Sequence, residues 1–479
     1  MVSRAGAIEG AEQYFDAGVY LVDLERRVAI PSESQNPERR GALEDYLERE
    51  MRPTLERMGF ACEVISNPAA GGGPFLYAER VEGVDAVTVF SYAHGDVIRG
   101  QDAQWAEGRS PWRITCEGER WYGRGTADNK GQHSINLGAL ACVLKARGSL
   151  GFNLKLLIET GEETGSPGLR ALCEREGARF HADLFIASDG PRVAPGQPTI
   201  FLGSRGVLNF ELSIELRAGS HHSGNWGGLL ANPGIQLAHA IACIASPRGE
   251  IRVPEWRPTS LTDAVRAVIS DLRLDGGPGA PPIDRDWGEP GLSPAERVIG
   301  WPSFEVLAFR TGDPDKPVNA IPSRAHAVCQ LRTVVGVDAQ DILPALRRHL
   351  DRNGFGMVKL APSRDRAMAA TRLAPDHPWV QWAVESIART TGREPAILPN
   401  LGGSLPNDVF ADLLGLPTVW VPHSYAGCSQ HAPNEHLLAP LAREGLRLMA
   451  GLWWDLGEAP ARRLAGHAVR RSDARAPIK

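Results

Sequence analysis

The chain has 479 residues, 43% hydrophobic and 23% charged, with a formal net charge of -5, enough for two or three domains with ordinary cores. That mild acidity, without a basic stripe, excludes a nucleic-acid binder, and no apolar run is long enough to span a membrane. Residues 1–10 lack the apolar core of a signal peptide, and the seven cysteines are odd in number, scattered and free of Cys-x-x-Cys spacing, which predicts unpaired thiols in a reducing cytoplasm.

Taken in chain order, residues 86–92 form a β-branched and aromatic run that reads as a buried strand, with His94-Gly95-Asp96 just beyond it. Asp128 precedes Asn129-Lys130-Gly131 and a helical pattern over 132–147, with Leu137, Leu140, Ala141 and Leu144 on one face. Residues 154–158 and 184–187 read as two more buried strands, followed by Glu159-Thr160-Gly161-Glu162-Glu163 and Ser188-Asp189-Gly190. Residues 276–283 read as a surface loop punctuated by Gly and Pro. His431 lies in the last quarter of the chain, and residues 459–479 carry many Arg and Lys and few large apolar groups, which predicts a frayed terminus.

Zinc takes His nitrogen and carboxylate oxygen, and two hydrolytic metals share a bridging carboxylate. His94, Asp128, Glu163, Asp189 and His431 supply that ligand set, and two carboxylates are left over. Asp96, two residues after His94, suits orientation of a metal-bound ring, and Glu162 suits the general base beside a metal-bound water. Three of these segments follow strand ends, where open α/β sheets bind ligands. The competing readings are ordinary ones. Asp128 alone could be a helix cap, an isolated Glu-Glu pair is usually a solvated turn, and most of the thirteen histidines have no expected role. His423, in Val421-Pro422-His423-Ser424-Tyr425, is the exception as a candidate pocket residue.

His94-Gly95-Asp96-Val97, the Gly123 to Gly131 segment, Glu159-Thr160-Gly161-Glu162-Glu163, Ser188-Asp189-Gly190 and His431-Ala432-Pro433-Asn434-Glu435 together resemble the co-catalytic zinc peptidases. That family includes carnosinase-like dipeptidases, aminoacylases, succinyl-diaminopimelate desuccinylase and glutamate carboxypeptidase. The resemblance runs from about residue 12 to about residue 455. It implies a mixed-sheet α/β/α catalytic domain built from residues 1–206 and 365–479, with an inserted α+β lid or dimerisation domain over 207–364 that a strand over 201–216 opens. It implies that His94 and Asp189 hold one metal, that Glu163 and His431 hold the other, that Asp128 bridges them and that Glu162 is the general base. Zinc is the expected metal, with cobalt and manganese as alternatives.

His221-His222-Ser223-Gly224 is similar to the dipeptidase branch's His-Ser-Gly segment, although Ser220-His221 stand where Asp-Leu is usual. The alignment puts His222 in the partner subunit's site as an oxyanion stabiliser, which implies a homodimer. Asn319 and Arg332 resemble lid residues that meet the substrate, and Gly403 and Ser404 the loop at its carboxylate end. The expected activity is hydrolysis of a dipeptide or N-acyl amino acid with a free carboxylate, by a Glu-activated bridging water. The alternative is a desuccinylase-, carbamoylase- or aryl-amine-hydrolase-like activity at the same metal site. Residues 252–304 exceed what a simple lid needs, and either enlarge a dimer contact or narrow the pocket.

Overall fold

The computed structural model describes residues 2–274, 282–363, 367–459, 461 and 464. The loop expected over 276–283 lies outside the described residues up to 281, as do the expected boundary at 364–365 and nearly all of the terminal stretch from 459.

An eight-stranded sheet organises the larger part of the molecule, in the order Ala61–Ile65, Phe75–Arg80, Asn153–Glu159, Thr88–His94, Leu184–Ala187, Thr418–Trp420, Thr199–Phe201, Ala396–Leu398. Asn153–Glu159, Thr88–His94, Leu184–Ala187 and Thr418–Trp420 run parallel, while the strands before them pair antiparallel, so the sheet is mixed. Parallel strands bury both faces, which is why their sequences are continuous apolar runs and not alternations. One face packs on a core that includes Leu137, Leu140, Leu446 and Trp453, and the other on a core that includes Phe90, Phe180, Phe185 and Phe410.

The helix that follows Asp128 spans Lys130–Arg147, two residues earlier than its apolar pattern suggests, and ends at Gly148, whose φ of 85° makes a left-handed cap. Its early start has a local cause. Lys130 points inward and its Nζ donates to the carbonyls of Arg27 at 2.9 Å and Ile30 at 2.7 Å, so a residue that reads as polar loop is buried in the first turn.

The strand expected over 201–216 is two strands. Thr199–Phe201 belongs to the large sheet and Gly206–Glu215 to a second, four-stranded antiparallel sheet, in the order Ser303–Thr311, Arg324–Thr333, Gly206–Glu215, Lys359–Pro362. The chain passes between the sheets at Gly203, where a Cβ would stand 2.1 Å from the Thr371 carbonyl oxygen, so a side chain there would collide with backbone. Gly206–Glu215 then alternates buried and half-buried residues, as expected of a sheet with one covered face. Helices Pro233–Ile244 and Ile342–Arg352 cover that face around Phe210, Leu212, Leu237, Trp256 and Leu346.

Candidate metal centre

The site begins at the carboxyl ends of three neighbouring parallel strands. His94 closes Thr88–His94 and sits in register with Glu159, the last residue of Asn153–Glu159; Asp189 follows Leu184–Ala187 by two residues. The chain turns at Gly95, where a Cβ would lie 2.4 Å from the Tyr46 ring, so no other residue fits without displacing that buried tyrosine.

Asp96 stands in the angle of that turn. Its backbone carbonyl lies 3.1 Å from His94 Nδ1, and its Oδ1 lies 3.5 Å from the same nitrogen. The two carboxylate oxygens accept the backbone N–H groups of Glu162 at 3.2 Å and Glu163 at 3.1 Å. Asp96 therefore fixes the glutamate turn as well as facing the His94 ring, and the turn is a short 3₁₀ helix over Glu162–Thr164.

Asp128 occupies the centre. Its Oδ1 lies 3.0 Å from His94 Nε2 and its Oδ2 3.1 Å from His431 Nε2. His94 Nε2 is also 3.4 Å from Asp189 Oδ2, and His431 Nε2 is 3.0 Å from Glu163 Oε2. Two triads result, His94 with Asp128 and Asp189, and Asp128 with Glu163 and His431, each with its ligand atoms within 4.8 Å of one another. One carboxylate belongs to both. The His94 side chain is fully buried whereas that of His431 is 55% exposed, so the pair of triads opens on the His431 side.

The electrostatics are those of a cation site. Burial, then the neighbouring Asp128, push the Glu163 carboxyl up to about 7, and the same two causes raise that of Asp189. Contacts with Asp128 and Glu163 push the His431 imidazole up to about 11. Burial lowers the pKa of His94, but Asp128, Asp189 and Asp96 outweigh it and leave the ring well above its ordinary value. Crowded carboxylates thus lie against two imidazoles whose pKa values they raise, in positions where a divalent cation would supply the charge. Asp189 Oδ2 is buried and accepts no hydrogen bond, and an orphaned oxygen beside an imidazole and a second carboxylate is what such a cation satisfies. The donor set therefore fits a pair of divalent metals.

A cavity of about 520 Å³ opens from these residues, lined at one end by Asp128, Glu162, Asp189 and His431 and at the other by Arg332, Gly403 and Ser404. Arg332 Nη1 donates to Ser404 Oγ at 2.8 Å, joining the second sheet to the 402–406 loop. The family profile described as Peptidase family M20/M25/M40 matches residues 90–455. The chain belongs to peptidase family M20/M25/M40. It is 26% identical over 366 residues to the cysteinylglycine-S-conjugate dipeptidase of Corynebacterium striatum, covering 74% of this chain and 76% of the relative. It is 24% identical over 481 residues to the human Beta-Ala-His dipeptidase, covering 94% and 93%. Among solved structures, the M20 family metallo-carboxypeptidase Sso-CP2 of Sulfolobus solfataricus superposes with a TM-score of 0.78 at 26% identity, covering 91% of this chain and 99% of that one.

This M20 peptidase is a metal-dependent hydrolase, and its fold is that of the family. Within one chain, two residues expected at the substrate do not reach the cavity. His222 is exposed and pairs with Ala320 in a short two-stranded ladder, and the Asn319 carbonyl accepts the N–H and hydroxyl of Ser223. His423 does not line the cavity either; it is buried with both ring nitrogens unpartnered, beneath Gly445. Part of the 252–304 stretch does line it, through Leu274 and Val298.

Two residues that hold Asp128 in place carry little sequence signal. Gln430 donates its side-chain amide to Asp128 Oδ2, an arrangement that only the fold of the 429–434 loop creates. Ser429, His431 and Asn434 all hold positive φ there, at 57°, 59° and 63°, which marks a loop constrained from several sides. Glu435 is one constraint. Its buried Oε1 accepts the backbone N–H groups of Gly125, Ala127 and Asp128 at 2.9–3.0 Å, and its Oε2 accepts from Arg124 at 2.8 Å. The polar Asn434-Glu435 pair at the end of the His431 motif was the available clue.

Proposed function

We propose that this peptidase hydrolyses dipeptides, using two divalent metals, zinc first among them. His94 and Asp189 would hold one, Glu163 and His431 the other, and Asp128 would bridge them. The observation that carries this reading is the division of Asp128, one oxygen towards each imidazole. Metals bound there would polarise the scissile carbonyl and acidify the attacking water.

Glu162 lines the cavity and is the proton carrier. Burial holds its carboxyl well above the ordinary range; His94 opposes this and the neighbouring Glu163, Asp189 and Asp128 add to it. A carboxylate of raised pKa takes a proton from water more readily and returns it to the leaving amine. At the other end, Arg332 offers a fixed guanidinium to the substrate's free carboxylate, with Ser404 and Gly403 beside it. The dipeptidase names of the relatives in Corynebacterium striatum and human support the substrate class.

The remaining element is a second subunit. Residues 207–364 would act as the lid and dimerisation domain, with His222 reaching the partner's site as an oxyanion donor and Asn319 beside it. The outer edge of the four-stranded sheet supports this. Strand Ser303–Thr311 exposes Val306, Leu307 and Phe309, and Ile235 and Leu229 are exposed on the neighbouring segments, an apolar edge that a monomer would not leave open. All seven cysteines are unpaired, which suits a cytoplasmic enzyme.

The test is a substrate panel on enzyme loaded with zinc, cobalt or manganese. Dipeptides should be cleaved in preference to N-acetyl and N-succinyl amino acids; clean cleavage of the N-acyl compounds without dipeptide turnover would reverse the assignment.

A further inference from the structure

A second cavity, of about 380 Å³, adjoins the first, walled by Ile283, Trp287, Trp301 and Phe304. Leu274 and Val298 line both cavities, so they stand at the boundary between them. Gly402 presses on that boundary, since a Cβ there would lie 2.9 Å from Val298 Cγ1, and it neighbours the Gly403-Ser404 pair that meets Arg332. The carboxylate end of the first cavity therefore abuts the entrance to the second.

The second cavity has the composition of a ligand site. Ile283 and Trp287 remain about half exposed, at 48% and 50%, where core residues would close on each other. Arg205, Glu289 and Trp301 also line it, each with a buried polar atom left unpaired in the wall behind the cavity surface. Arg205 donates through Nη2 to the Trp301 carbonyl at 3.2 Å and Ser303 Oγ at 3.1 Å, yet its Nε has no partner; Trp301 Nε1 and Glu289 Oε2 are likewise unsatisfied. Arg205 and Glu289 are each only 6% exposed. Large apolar and aromatic walls beside a polar catalytic cavity define a pocket for an apolar ligand group.

We propose that this cavity receives the side chain of the substrate's carboxylate-bearing residue, and that the enzyme prefers dipeptides ending in an aromatic residue. The proposal rests on the dipeptidase reading above. With the carboxylate at Arg332 and Ser404, the side chain passes Leu274 and Val298 and lies among the two tryptophans and Phe304. An aromatic ring buries the large area these walls offer.

Zinc-loaded enzyme is assayed with Ala-Gly, Ala-Ala, Ala-Phe and Ala-Tyr. The expected kcat/KM for the aromatic pair exceeds that for Ala-Gly by about tenfold or more. Val298→Trp and Leu274→Trp, which narrow the entrance from two sides, should bring that ratio close to one, whereas a general loss of folding lowers all four substrates together and leaves the ratio standing. A wild-type ratio at or below one, or a ratio unchanged in both variants, overturns the proposal. If only N-acyl amino acids are cleaved, the dipeptidase reading fails, and the same ratio taken with N-acetyl-Phe and N-acetyl-Gly decides the subsite by itself.

Discussion

Glu435 Oε1 accepts the backbone N–H of Asp128 at 3.0 Å, so the residue at the centre of both triads is held by a carboxylate over three hundred positions later in the chain. The same oxygen takes two further N–H groups, and Arg124, 1% exposed, has its ion pair with Glu435. Glu435→Ala would strand a buried guanidinium and three backbone donors. Removing one partner of such a pair costs about 3–5 kcal/mol. The expected result is a clear drop in melting temperature together with weaker metal binding; a variant that melts like the wild type would show that water replaces the carboxylate.

Asp96 tests how far the glutamate turn matters to the metals. Both of its oxygens accept backbone N–H groups, from Glu162 and Glu163. Asp96→Asn keeps one acceptor and turns a donor towards the other N–H. Changes of this kind behind metal ligands lower affinity by about 10–100-fold. Metal titration followed by calorimetry should show that loss with the fold intact, and an unchanged affinity would leave Asp96 with a purely local role.

The adjacent glutamates should separate cleanly. Glu163 lies 3.0 Å from His431 Nε2 within a triad, whereas Glu162 lines the cavity and belongs to neither triad. Glu162→Gln is expected to lower turnover by about 10²–10⁴-fold with metal content retained. Glu163→Gln is expected to lose metal first and activity as a consequence, restored in part by excess zinc. Elemental analysis of both variants beside their rates distinguishes the roles; equal metal loss in both would merge them.

Most of the centre was legible because metal chemistry constrains residue type. His94, Asp128, Glu163, Asp189 and His431 needed no fold to be singled out, and their strand ends followed from apolar runs that parallel strands require. What escaped was set by tertiary geometry. The break at Gly203 depends on the Thr371 carbonyl, 168 positions away, and the same apolar alternation continues on either side of it. Lys130 reads as a loop residue because nothing local announces that Arg27 and Ile30 will accept its ammonium inside the core. Glu435 was within a recognised motif, but its work as an acceptor is defined only by where residues 125–128 come to lie. Leu274 and Val298 come from a stretch whose sequence left open whether it served a contact or the pocket.

Glu159 gives a pH dependence with a definite sign. Burial, with Asp96 nearby, pushes its carboxyl up to about 7 from an ordinary 4.5, while Tyr92 and Ser166 donate to its Oε1 at 2.6 Å and 2.9 Å and pull the other way. The folded state thus holds a proton that the unfolded chain releases. Its stabilising contribution is complete below pH about 4.5 and is lost as pH rises through about 7. Glu159→Gln keeps both hydrogen bonds without the charge. In metal-stripped protein, the wild-type melting temperature should fall relative to the variant between those pH values; a constant gap would mean that Glu159 is ionised throughout.

The second-subunit reading has a test that does not depend on interpreting a single loss of activity. His222 is exposed and stands outside its own chain's cavity, so if it serves the partner, His222→Ala and Glu162→Gln are defects in different halves of one composite site. Each homodimer should be nearly inactive. Mixed by mild dissociation and reassociation, they form heterodimers in which one site carries both defects and the other carries neither, because a two-fold dimer exchanges the same contact in both directions. Random mixing makes half of the dimers hybrid with one competent site of two, so activity should return to about a quarter of the wild type. Leu307→Asp, on the exposed edge strand, should abolish both the dimer and this recovery while leaving metal content unchanged. If mixing restores nothing while hybrid dimers are demonstrably present, His222 acts within its own chain or not at all, and the apolar edge at Val306, Leu307 and Phe309 must serve another purpose.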